Sequence, residues 1–175
     1  DPWILAGVLY LGAGVGLAAV HGLRSLVGPS GAEAPLRRSD VPRLLVAILA
    51  GGVLGPLFLM YGLAGTDAAG ASLLLNAEGL ATMAIAWMAY RENVDQRLLA
   101  GALAILAGGM ILTLGGPATF HVGALLIVAA CVCWGIDNNV TRGIAGADPV
   151  RIAMIKGLVA GGVNIALGML GGASW

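Results

Sequence analysis

The sequence predicts an all-α polytopic membrane protein with six transmembrane helices, and three observations carry that prediction. Hydrophobic residues make up 59% of the chain and charged residues 10%, with a mean hydropathy of +0.94. An ordinary soluble domain carries roughly 25% charged residues. The 175 residues divide into six apolar segments, each long enough to cross a hydrocarbon layer about 30 Å thick at about 1.5 Å per helical residue. All nine basic residues fall in or beside alternate connections. A soluble protein with large buried helices would need a polar surface that this composition lacks. The nine acidic residues balance the nine basic ones, so no nucleic-acid partner is indicated.

The segments run Trp3 to Leu23, Leu44 to Leu63, Ala68 to Tyr90, Leu98 to Gly115, Val122 to Val140 and Ile152 to Gly171. Helix starts are marked by Pro2, by Asp40 with Pro42, by Thr66-Asp67, by Asn93 with Gln96 three residues on, and by Asp148-Pro149. A short side-chain oxygen accepts from the first free backbone N–H groups, and proline in the first turn needs no donor. The chain opens on Asp1-Pro2-Trp3 with no signal-peptide pattern, as expected of an internal piece of a longer protein.

Lys and Arg accumulate in cytoplasmic connections. Arg24, Arg37, Arg38 and Arg43 lie between segments one and two, Arg91 and Arg97 between three and four, and Arg142 and Arg151 between five and six, with Lys156 just inside the sixth. The connections Ala64 to Asp67 and Gly116 to His121 have no Lys or Arg. This predicts both termini on the non-cytoplasmic side of the inner membrane. Trp3, Tyr61, Phe120 and Trp175 then fall near the outer interface, and Trp87 and Tyr90 near the inner one.

Small-residue spacing at Gly12/Gly16, Gly51/Gly55, Gly157/Gly161 and Gly168/Gly172 predicts close helix packing, or else the lining of a cavity. Pro56 inside the second segment should kink or break that helix and free backbone groups, which is tolerable only against protein or a wet cavity. LAGVLYLGAGVGLA from Leu5 resembles MIKGLVAGGVNIAL from Met154 in its glycine and aliphatic pattern. One copy enters from each side, as inverted repeats of transporters do. Cys131 and Cys133 lack disulfide or metal-site spacing and read as small packing residues.

The polar residues inside the spans are the functional candidates. Glu78 is the one charged residue among the 23 from Ala68 to Tyr90, about 15 Å from either end and so near the bilayer midplane. An ionisable residue there is costly and points to function by default. With no basic residue at its depth, Glu78 must be protonated, pair with a residue outside this chain, or face water. Thr82 shares its helix face, whereas Asn76 points nearly opposite. Asp137 and Lys156 reach similar depths on consecutive antiparallel segments, so an ion pair is geometrically available, either structural or serving substrate or proton handling. Alternatively, Lys156 snorkels to the inner interface. Trp134, Asn138, Asn76 and Thr82 complete the cavity-lining candidates, Trp134 with core packing as the alternative. His21 and His121 read as ordinary polar ends. No metal-binding, cofactor or nucleophile motif is visible, so neither an enzyme nor a bound cofactor is expected.

Within Leu63 to Leu114, AGTDAAGASLLLNAEGLATMAIAWMAYRENVDQRLLAGALAILAGGMIL is similar to the drug/metabolite transporter superfamily, EamA type. The shared features, in order, are a short outer turn, a small-residue helix, a membrane Glu, an aromatic near the inner face, a basic-acidic turn with Glu92, and a glycine-bearing helix. CWGIDNNVTRGIAGADPVRIAMIKGLVAG resembles the opening helix of the family's second repeat. The resemblance implies ten helices in two inverted five-helix repeats around a central cavity. Residues 1–115 would be the later four helices of the first repeat and 116–175 the first two of the second. It implies a secondary transporter, an exporter of a small-molecule metabolite working by alternating access in the lipid bilayer. Homo-oligomerisation is left open. Gly79 stands where many relatives carry proline; either residue weakens the helix there. The rival expectation is a non-transporting membrane scaffold or subunit, whose polar residues serve only packing.

Overall fold

The computed structural model describes residues 1–27, 36–93, 95–114, 122–144 and 146–172. They form helices and turns, with no strand among the described residues. Among the described residues, five stretches are long and apolar enough to cross a membrane: Pro2–Arg24, Arg38–Ala64, Ala68–Tyr90, Val122–Arg142 and Pro149–Leu170. A sixth helix, Gln96–Leu114, lies between the third and fourth. Phe120, His121, Trp175 and the connection from Gly116 fall outside the described residues. The chain forms two compact units, Asp1–Val53 with Val140–Trp175, and Leu54–Asn139.

In the first unit, α1 (Pro2–Val27) packs along α8 (Pro149–Leu170). The pairing is antiparallel: Trp3 and Ile4 lie against Gly168, Gly7 against Ile165, Leu11 against Gly161, and Gly14 against Gly157 and Leu158. A Cβ on Gly157 would stand 2.8 Å from the Gly14 Cα, so the backbones touch and neither position accepts a side chain. The expected Gly157/Gly161 face is thus an interface. Among the described residues the expected Gly12/Gly16 face is not, because nothing lies within 4 Å of a Cβ at either position, and Gly7 and Gly14 make the contact instead. Two positions turn a helix by about 200°, and an apolar stretch carries no polar stripe to say which side is inward.

Arg43 and His21 make long-range contacts in this unit. The Arg43 guanidinium donates to the Gly143 carbonyl at 3.1 Å, and His21 Nδ1 lies 3.7 Å from Asp148 Oδ2. Asp148 also caps α8, its Oδ1 accepting the Val150 N–H at 2.8 Å. Asp40 precedes α2 (Val41–Ala47), but its carboxylate accepts the Arg37 N–H at 3.0 Å rather than capping that helix.

Pro56 does not end its helix. After α2 the chain widens into a π-helical turn, Ile48–Leu54, then resumes as α3 (Gly55–Ala64) with Pro56 in its first turn. Without an N–H, Pro56 cannot donate to the carbonyl four residues back, Gly52, or five back in π register, Gly51. Both carbonyls have long-range donors. Tyr10 Oη donates to Gly51 at 2.6 Å, and Asn164 Nδ2 donates to Gly52 at 3.0 Å. Asn164 has 0% exposure. The freed backbone is therefore held against protein, one of the two arrangements expected for it.

The second unit contains α3, α4 (Ala68–Leu74), α5 (Ala77–Tyr90), α6 (Gln96–Leu114) and most of α7 (Val122–Arg142). Asp67 caps α4, with Oδ1 accepting the Gly70 N–H at 2.9 Å. Asn93 does not start α6; Asp95 does, its Oδ1 accepting the Arg97 N–H at 2.8 Å. Gly62 of α3 lies against Ile127 and the Gly123 carbonyl of α7, and α6 packs on both α4 and α5.

Candidate substrate or coupling site

The stretch from Ala68 to Tyr90 is not one regular helix. It tightens at Leu75 and Asn76, where Asn76 N–H donates to Leu73 and Glu78 N–H to Leu75, both at 3.1 Å and both three residues back. The turn therefore has the narrower 3₁₀ pattern. A helix-weakening residue at position 79 would act on the Leu75 carbonyl four residues before it, and the irregularity lies there rather than at Gly79, which sits inside α5. Glu78 follows in the first turn of α5, where the positive end of the helix dipole favours a negative side chain.

Three of the sequence candidates meet at this turn. Asn138 Nδ2 on α7 donates to Glu78 Oε1 at 3.0 Å and lies 3.3 Å from Thr82 Oγ1. Glu78 and Thr82 are partly buried, and Asn138 is exposed. Asn76 stands apart: its exposed side chain turns back, Nδ2 donating to the Ser72 and Leu73 carbonyls at 3.1 Å each.

Residues not among the sequence candidates hold this cluster. Asn139 is buried and its Nδ2 donates to the Thr82 carbonyl at 2.9 Å and to the Gly135 carbonyl at 2.8 Å. Gly135 lets α7 touch α5, since a Cβ there would stand 3.0 Å from the Ala81 carbonyl carbon and the Thr82 nitrogen. Cys131 is buried with Sγ 3.6 Å from the Leu74 carbonyl and 3.7 Å from that of Leu75. It is more than filler, because its thiol faces the two carbonyls at the tightened turn. The available signal was spacing: 131, 135, 138 and 139 follow one face of a helix.

Asp137 is also buried, with 7% exposure, in the second unit. Lys156 is partly buried on α8, in the first. Trp134 is partly buried on α7. No group of three or more His, Cys, Asp or Glu that could hold a metal ion occurs among the described residues.

Interrupted membrane helices recur at the binding sites of transporters. The EamA-like transporter family matches residues 1–114. The chain belongs to this family. It is thus a multi-pass membrane protein. An "Uncharacterized transporter" of Methanothermobacter thermautotrophicus is 27% identical over 180 residues, covering 95% of this chain. The EamA-family chain spans about half, 52%, of that relative's length. No solved structure matches it.

Proposed function

We propose that this chain is part of a secondary transporter that exports a small metabolite across the cytoplasmic membrane by alternating access. Glu78 is its substrate-contacting or proton-coupling group, and Asn138 and Thr82 share its site. The observation that carries this reading is the Glu78–Asn138–Thr82 cluster beside the tightened turn, a polar constellation in spans where charge is costly. Asp137 and Lys156 are the second candidates for substrate or proton handling, and Trp134 is a cavity-lining candidate. Residues 1–115 supply the later four helices of one repeat and 116–175 the first two of its inverted partner, with both ends of the chain on the non-cytoplasmic side.

Cysteine introduced at Ala81 or Thr82 in the complete protein tests the reading. Labelling by a membrane-impermeant thiol reagent, protected by substrate, is the expected result. Resistance to aqueous reagents at both positions would leave a scaffold, with Glu78 serving only helix packing.

A further inference from the structure

We propose that Asn139 is a positioning residue: it locks the rotation of α7 against α5 so that its neighbour Asn138 is presented to Glu78. The inference rests on the reading of Glu78 as the functional carboxylate.

Asn138 is exposed, so packing does not fix its side chain. Its 3.0 Å bond to Glu78 Oε1 depends on where α7 places its backbone. Asn139 is 3% exposed, and both hydrogens of its amide are engaged, one on α7 at Gly135 and one across the interface at Thr82. Thr82 is one helical turn beyond Glu78, so the two asparagines grip the same turn of α5 from adjacent positions of α7. Adjacent helix positions differ by about 100°, so α7 cannot rotate by one residue without losing both grips. Gly135 removes the remaining slack by bringing the backbones into contact.

Asn139 Oδ1 has no hydrogen-bond partner among the described residues. A buried acceptor without a donor is costly, and an apolar side chain of similar shape would avoid that cost. A residue that served packing alone would carry no such penalty. The amide is kept for its donor, and the donor's cross-helix target is the turn that bears Glu78.

The test is isotope-edited infrared spectroscopy of the complete protein with ¹³C-labelled glutamate carboxyl groups, the Glu78 band being assigned by its loss in Glu78→Gln. The other titratable groups on helices packed against α5 in this unit are Cys131, Cys133 and Asp137 of α7 and Arg97 of α6. Spectra are therefore compared at one pH, with Asp137→Asn as a control.

Asn139→Leu is expected to shift the Glu78 band in the same direction as Asn138→Leu. Asn164→Leu, which removes an equally buried amide from the first unit, is expected to leave it in place. An unmoved band in Asn139→Leu, or a band that Asn164→Leu moves equally, overturns the proposal. If Asn139→Leu does not fold, Asn139→Ser, too short to span both carbonyls, is read by the same criteria. Wild-type transport by Glu78→Gln would remove the functional reading of Glu78, whereas the band still decides the positioning by Asn139.

Discussion

Asn164→Ala should destabilise the protein chiefly because Pro56 cannot replace the donor that is lost. Asn164 donates to Gly52 at 3.0 Å from a fully buried position. Removing it strands a buried carbonyl, at a cost of about 1–3 kcal/mol. Interhelical hydrogen bonds in membranes average only about 0.6 kcal/mol, with an upper value of about 1.7. Asn164 also carries an Oδ1 with no partner among the described residues, and losing that acceptor offsets part of the cost. The expected net loss is therefore about 1 kcal/mol. Pro56→Ala supplies a backbone N–H that can reach Gly52 in α register, so in that background Asn164→Ala should cost about half as much. Reversible unfolding in mixed detergent micelles, run as a double-mutant cycle, measures the coupling. Strictly additive losses would refute the account of why the π-helical turn is held by side chains from two other helices.

Other perturbations follow the same reasoning. Gly157→Leu forces a side chain onto the Gly14 backbone and should lower the melting temperature more than Gly12→Leu, which meets open space; thermal scans of the purified protein compare them. Asp67→Ala removes the cap on Gly70 and should cost about 1 kcal/mol in the same unfolding assay, with Asp67→Asn largely retaining it. Cys131→Ser keeps a hydroxyl donor facing the Leu74 and Leu75 carbonyls and should be better tolerated than Cys131→Val, judged by yield and monodispersity.

The membrane architecture was legible because it depends on composition and on the length of the apolar segments, both of which survive without knowledge of any contact. Caps at Asp67 and Asp148 were legible for a similar reason: each is a local bond spanning two or three residues. Asn93 misled because Asp95, two residues on, is an equally good cap and closer to the helix. The donors for Gly51 and Gly52 lie 41 and 112 residues away in sequence, and nothing local to Pro56 identifies them. The polar residues of the candidate site were visible as anomalies in apolar spans. Their grouping was not, since it depends on which face α7 turns to α5, and Gly135 sets that by steric contact rather than by polarity. The tightened turn at Leu75–Asn76 escaped because neither residue is a helix breaker; only the paired three-residue hydrogen bonds reveal it.

Glu78 is the residue on which the proposed transport depends. The decisive measurement is transport by the complete protein in proteoliposomes, wild type against Glu78→Gln, with metabolite-driven proton movement read by an internal pH dye across a range of external pH. Glu78→Gln keeps the size of the side chain and an oxygen for Asn138, and is expected to abolish metabolite-driven proton movement or its pH dependence. Wild-type rates with an unchanged pH profile would contradict that expectation.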